Sequence, residues 1–74
     1  MTTRELKDYA LRTLCEEHLW KENEWDGFEY NDVHYLITKL DGCWELANAD
    51  THKRRTYPTL GRMFNAFFHL LNIK

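Results

Sequence analysis

Hydrophobic residues recur at helical spacings of three and four in the first part of the chain, from about residue 3 to residue 21. The predicted apolar face of this helix contains Leu6, Ala10, Leu11, Leu14, Cys15 and Leu19. Thr2 and Glu5 have the spacing of a capping box, in which each side chain accepts a hydrogen bond from the other residue's main-chain N–H. The pattern therefore predicts an N-terminal helix that begins after Thr2.

The middle of the chain changes to the period-two alternation of β-strands. Asp26-Gly27 is predicted to form a turn before the first strand, and Asn31-Asp32 and Asp41-Gly42 are each suited to a two-residue hairpin turn. The Asp-Gly pair is the stronger signal, because it favours a type I′ turn. These turns predict an antiparallel meander of three strands.

The two hairpin turns also predict the register of the strands, with Phe28 opposite Tyr35 and Ile37 opposite Leu46. One face of the sheet then collects Phe28, Tyr30, Val33, Tyr35, Ile37, Trp44 and Leu46. The other face collects Glu29, His34, Leu36, Thr38, Leu40, Cys43, Glu45 and Ala47. The first set is predicted to be core, whereas the second is half apolar.

The last part of the chain predicts a short edge strand at residues 54–57, followed by a helix with Thr59 as its N-cap. Apolar residues of this helix share one face: Leu60, Met63, Phe64, Phe67, Phe68, Leu70 and Leu71. We therefore predict one α+β domain over residues 1–74, with the order helix, three- or four-stranded antiparallel meander, helix. Both helices are expected on the aromatic face, and the alternative places the first helix on the other face in a three-layer arrangement.

Composition favours a packed globule, since 43% of the residues are hydrophobic and 15% are aromatic. The polar N-terminus and the short apolar runs predict neither a signal peptide nor a transmembrane helix, so no membrane association is expected. Two cysteines without a disulfide framework predict a reduced, soluble, cytoplasmic protein.

Few side chains suggest catalytic or metal chemistry. No serine occurs in the chain, and the three glycines are isolated, so neither a serine nucleophile nor a phosphate-binding loop is available. A metal or nucleophilic site could use Cys15, His18, His34 and Cys43, but the sequence does not specify that they meet, and Cys15 is predicted to pack in the core. We therefore expect a protein that is not an enzyme and binds no metal or cofactor.

Charge is distributed unevenly, because all 12 acidic residues lie within residues 1–50, whereas half of the 10 basic residues lie within residues 51–74. Aromatic residues accompany the acidic run, as they do in interface hot spots. The candidate partner-binding surface contains Trp20, Glu22, Glu24, Trp25, Asp26 and Glu29. A second candidate surface is the half-apolar sheet face with Leu36, Leu40 and Glu45. Both candidate surfaces predict that the partner is another protein. For the acidic surface, the partner is expected to have a basic surface.

Two alternatives remain open. Weak nucleic-acid binding would use the basic residues His52, Lys53, Arg54, Arg55 and Arg62, although the acidic half of the chain would repel phosphates. A homodimer could form through the second sheet face or an open edge. By analogy of size and charge, the leading hypothesis is a phage or mobile-element accessory protein that inhibits or regulates a host nucleic-acid-handling protein.

Overall fold

The computed structural model describes residues 1–73, which form two α-helices and a four-stranded antiparallel sheet. Helix α1 spans Thr3–Cys15 and a short 3₁₀ helix follows at Glu17–Leu19. The remaining elements are β1 (Trp25–Tyr30), β2 (Val33–Leu40), β3 (Cys43–Asn48), β4 (Lys53–Tyr57) and α2 (Leu60–Leu70). Strand order in the sheet equals chain order, so β1 and β4 are the edges. The predicted helix–meander–helix order is confirmed. No helix within residues 1–73 is long and apolar enough to cross a membrane.

Both helices begin at the predicted caps. The Thr2 hydroxyl accepts a hydrogen bond from the Glu5 main-chain N–H at 3.1 Å, and the Glu5 carboxylate accepts one from the Thr2 N–H at 2.9 Å. This second bond is the main cause of the lowered pKa of Glu5. At α2 the Thr59 hydroxyl accepts from the Arg62 N–H at 3.1 Å. Each cap satisfies a main-chain donor that the helix leaves unpaired.

The predicted register of the first two hairpins is confirmed, with Phe28 opposite Tyr35 and Ile37 opposite Leu46. Asn31 and Asp32 have φ values of 52° and 64°, as a type I′ turn requires. In the Asp41-Gly42 turn only Gly42 has a positive φ, of 75°, so the type I′ geometry predicted there is wrong. Either geometry closes a two-residue loop, and the strand pairing is therefore the same.

Both helices pack on one side of the sheet, here called the covered face, which carries Phe28, Tyr30, Tyr35, Ile37, Trp44 and Leu46. The helices contribute Leu6, Tyr9, Ala10, Leu60, Met63, Phe64 and Phe67 to the same core. The Tyr9 ring lies between the elements, 4.9 Å from Phe28 and 6.4 Å from Phe64 between centroids. The predicted two-layer packing is confirmed, and the three-layer alternative is wrong.

Helix α1 is shorter than predicted and buries a different face. It ends at Cys15 rather than near residue 21, and Leu11 and Leu19 are 63% and 64% exposed. Tyr9 and Thr13 are buried instead, beside Leu6 and Ala10. Thr13 can be buried because its hydroxyl donates a hydrogen bond to the Tyr9 carbonyl oxygen at 2.7 Å. The prediction was wrong because it placed neither residue on the buried face.

The predicted turn at Asp26-Gly27 is also wrong, because both residues lie within β1, opposite Ile37 and Leu36. The chain turns earlier, where Asn23 has a φ of 69°. The Asn23 N–H donates to the Lys39 carbonyl oxygen at 2.7 Å, and the Lys39 N–H donates to the Glu24 carbonyl oxygen at 2.9 Å. Long-range pairing with β2 therefore overrides the local turn tendency of Asp-Gly.

Candidate protein-binding surface

The side of the sheet opposite the helices, here called the open face, carries side chains from all four strands. Its members are Trp25, Gly27, Glu29, His34, Leu36, Thr38, Leu40, Cys43, Glu45, Ala47, Arg54 and Thr56. The apolar members form cross-strand rows, with Leu36 between Gly27 and Ala47, and Leu40 beside Cys43. Leu36 and Leu40 are partly exposed, and both lie outside the core cluster. The open face thus presents aliphatic surface to solvent.

Trp25 is the most exposed large hydrophobic residue of the open face, with 64% of its surface accessible. A Cβ atom placed on Gly27 would lie 3.1 Å from Leu36 Cδ2 and 4.0 Å from Trp25 Cζ3. The two side chains therefore flank the glycine, which has no side chain to separate them. This glycine creates a shallow apolar surface that combines an aromatic ring with an aliphatic side chain, the composition found at the centres of protein interfaces.

One end of the open face holds a histidine between two carboxylates. His34 Nε2 lies 2.9 Å from Glu29 Oε2, and His34 Nδ1 lies 3.4 Å from Asp50 Oδ1. The His34 main-chain N–H also donates to Asp50 Oδ2 at 3.0 Å, and this hydrogen bond is the main cause of the lowered pKa of Asp50. Since these groups are well exposed to water, their pairing orients the β3–β4 turn more than it stabilises the fold.

The predicted acidic and aromatic surface is divided by the structure. Trp20 packs on Trp44 with 5.3 Å between ring centroids, so it borders the core. Asp26 lies toward the helices and accepts a hydrogen bond from the Tyr9 hydroxyl at 2.6 Å. Burial, followed by this carboxylate, raises the pKa of Tyr9. These two contacts give Trp20 and Asp26 structural roles inside this domain.

The remaining members of that surface combine with the second predicted surface. Trp25 and Glu29 lie on the open face with the predicted residues Leu36, Leu40 and Glu45. Glu22 and Glu24 are exposed in the segment that leads into β1. The structure therefore brings parts of two separate predictions together on one surface, with acidic residues near its apolar centre.

The predicted basic cluster is not one continuous patch. His52 lies in the turn before β4 with a φ of 63°, and Arg62 is exposed on α2. Within β4, Lys53 and Arg55 pair with Asn48 and Leu46 and lie on the helix side, whereas Arg54 pairs with Ala47 and lies on the open face. Strand alternation thus divides the cluster between two surfaces.

The four residues considered for metal or nucleophilic chemistry do not form one site, although His18 and Cys43 line the same shallow pocket. Cys43 pairs with Leu40 at one end of β2, whereas His34 lies near the other end, roughly 20 Å away at the rise of an extended strand. Cys15 is exposed at the end of α1, which contradicts its predicted place in the core. Among residues 1–73, no group of three or more His, Cys, Asp or Glu side chains could hold a metal ion.

Sequence reasoning placed Thr38 on this face correctly, but it missed Gly27 and Thr56 as members of the open face, and it did not place Trp25 there. The signal was available, since period-two alternation continues backward from Phe28 to Trp25. The predicted turn at Asp26-Gly27 hid it. The contact between Gly27 and Leu36 left no such signal, because it depends on side-chain packing across two strands.

Comparison with protein-family models, with curated proteins and with solved structures finds no match to this chain.

Proposed function

We propose that this chain is a non-catalytic protein-binding module whose contact surface is the open face. The observation that carries the proposal is Trp25, which is 64% exposed on an apolar sheet surface opposite both helices. An exposed ring on apolar surface is unfavourable in water, and a partner that removes it from water recovers free energy. Exposed aromatic anchors of this kind contribute much of the binding energy at protein interfaces.

The partner that fits this surface is a protein with an apolar patch bordered by basic residues. Glu24 precedes Trp25 in the chain, and Glu29 and Glu45 lie on the open face. Carboxylates around an apolar centre favour lysine and arginine at the rim of the partner and accelerate encounter. We further propose, by analogy of size and charge with phage and mobile-element accessory proteins, that the partner is a nucleic-acid-handling protein that this chain inhibits or regulates.

We place this binding activity in the cytoplasm. Cys15 is exposed and Cys43 is partly exposed, and both are free thiols. Exposed free thiols persist in a reducing compartment and oxidise readily outside it, which supports this location.

Affinity capture from a lysate of the source cells tests the proposal, with the native chain, Trp25→Ala and Leu11→Ala compared after nuclease treatment. Leu11→Ala is the matched control, because Leu11 is 63% exposed on α1, away from the sheet. We expect one protein to be retained by the native chain and by Leu11→Ala and lost with Trp25→Ala. With the purified partner, Trp25→Ala should raise the Kd by at least about tenfold.

A partner that binds native chain and Trp25→Ala equally would contradict the use of the open face. If only the chain itself is recovered, sedimentation equilibrium decides whether it self-associates. A dimer that Trp25→Ala dissociates would identify the partner as a second copy bound through the same face.

A further inference from the structure

A second surface lies on the helix side of the sheet, where a groove of about 490 Å³ separates α2 from the edge strand β4. Its apolar walls include Leu46, Tyr57, Phe67 and Leu70, and Lys53, Arg54 and Arg55 border it. Strand alternation directs the side chains of Lys53 and Arg55 to the groove side and that of Arg54 to the open face. Leu70 was predicted to be buried with the rest of the α2 apolar face, but it is 77% exposed, more than any other large hydrophobic residue described. The groove therefore combines solvent-exposed apolar surface with positive charge.

Strand β4 offers its main chain beside this groove. Within residues 1–73 it pairs with β3 alone, so its outer edge has main-chain N–H and C=O groups available for another strand. All residues of β4 except Tyr57 are exposed. Lys53 and Arg55 are two positions apart on the groove side, which matches the side-chain repeat of any strand added next to them.

We propose that this groove binds an extended segment of another protein, which adds to β4 as a fifth strand and carries carboxylates at alternate positions together with a large apolar residue. The main chain of the segment would pair with β4, its carboxylates would face Lys53 and Arg55, and its apolar residue would contact Leu70. Strand addition supplies affinity through main-chain hydrogen bonds and specificity through alternate side chains. This site is independent of the open face and of its proposed partner.

A single-stranded nucleic acid fits the groove less well. Its recognition requires aromatic faces on which bases stack. The Tyr35 ring stacks on Phe28 at 5.4 Å and meets Phe67 edge-on at 4.8 Å, and Phe67 is buried. These rings are used inside the protein, and Tyr57, the third aromatic residue of the groove, is partly buried against the core. Although Arg54 borders the groove, strand alternation directs its side chain to the other face, so Lys53 and Arg55 are the β4 charges on the groove side and do not form the continuous positive stripe that follows a phosphate backbone.

Selection from a random library of roughly ten-residue peptides tests the proposal, since that length covers one strand. We expect enriched peptides to have aspartate or glutamate at alternate positions. Binding of a selected fluorescent peptide is then compared among native chain, Arg55→Glu and Arg54→Glu. The two variants make the same charge change on neighbouring residues of one strand but on opposite faces. Arg55→Glu should weaken binding by about tenfold or more, and Arg54→Glu by about threefold at most.

Two further measurements identify the contacts. Leu70→Ala should also weaken peptide binding several-fold. The far-ultraviolet circular dichroism of this variant should stay native, because Leu70 is 77% exposed. Two versions of the peptide can be made with methyl groups on every second main-chain nitrogen, one on the odd and one on the even positions. Only the version whose methylated amides face β4 should fail to bind, since the other set of amides points away from the sheet. Amide protons of β4 should gain protection from hydrogen exchange when the peptide is bound.

Several outcomes would overturn the proposal. These are a selection on folded protein that yields no binder, equal losses from Arg54→Glu and Arg55→Glu, or chemical-shift changes centred on Trp25 rather than on β4. Binding of a 12-nucleotide single-stranded DNA in competition with the peptide, at comparable affinity, would assign the groove to nucleic acid instead. Peptide binding that survives Trp25→Ala while the open-face partner is lost would separate this site from the proposed function.

Discussion

The two faces of the sheet differ in burial, although the same strands supply the side chains of both. On the covered face Ile37 is fully buried, and on the open face its neighbour Leu36 remains partly exposed. Both faces carry apolar residues, so hydrophobic content alone does not distinguish them. The difference is that both helices place their apolar residues on the covered face, and the open face has to be completed by something else or remain hydrated.

The comparison shows how a small domain can carry an apolar surface without losing its fold. The helices bury most of the aromatic residues, which contain the largest apolar areas, and apart from Trp25 the open face carries smaller apolar residues beside Thr38 and Glu45. Because the row that contains Thr38 and Glu45 lies between the two apolar rows, the open face is less prone to nonspecific association than a continuous patch would be. Folding and binding can then depend on different sides of the sheet.

Among the substitutions considered, the largest loss of stability is expected from one on the covered face. Ile37→Ala should lower the free energy of unfolding by about 2–5 kcal/mol, because it removes fully buried methyl groups and leaves a cavity. Leu36→Ala, on the adjacent residue of the same strand, should cost about 1 kcal/mol or less. Urea titration followed by tryptophan fluorescence measures both. If Ile37→Ala does not fold, Ile37→Val should still cost about 0.5–1.5 kcal/mol. Equal losses from Ile37→Ala and Leu36→Ala would mean that the faces are not energetically distinct.

A smaller loss is expected from Tyr9→Phe, which removes the hydrogen bond to Asp26 while keeping the buried ring. We expect about 1 kcal/mol, since Asp26 is exposed and water can replace the lost donor. In a double-mutant cycle with Asp26→Ala, the second substitution should add little once the first is present. Fully additive losses would show that Asp26 acts independently of Tyr9, as the predicted partner-binding surface requires.

The two faces should also respond differently to pH. The pKa of Tyr9 is raised above its ordinary value of 10.0, so its contribution is present below pH 10 and is lost as the pH rises through its folded-state pKa. The pKa of Asp50 is lowered from 3.8, so its contribution is present above about pH 4 and is lost as the pH falls through its folded-state pKa. Tyr9→Phe should reduce the alkaline loss of stability and Asp50→Asn the acid loss, as measured by urea midpoints across pH. Unchanged pH profiles would contradict these assignments.

The smallest effect on stability is expected from Trp25→Ala. The ring is 64% exposed, and the free energy of unfolding should change by no more than about 0.5 kcal/mol. The same substitution is expected to abolish capture of the open-face partner. A large loss of stability would mean that Trp25 supports the fold, and its loss could then no longer be interpreted as the loss of a binding anchor.

The sequence by itself determined the features that depend on local energies. The caps at Thr2 and Thr59 and the loops at Asn31-Asp32 and Asp41-Gly42 arise from residues within a few positions of one another. A two-residue loop sets the register, and alternation then assigns every later side chain to a face. For that reason the composition of both sheet faces between Phe28 and Ala47 could be predicted from the sequence alone.

Only the tertiary structure decided which surfaces are free. It placed Trp20 on Trp44, bound Asp26 to Tyr9, and extended β1 through a predicted turn to bring Trp25 onto the open face. It also ended α1 at Cys15 and left Leu70 exposed beside β4. Each outcome depends on a contact between residues distant in the chain, where packing and desolvation outweigh local propensity. Local pattern therefore specifies the elements and their pairing, whereas long-range packing determines which residues remain available to a partner.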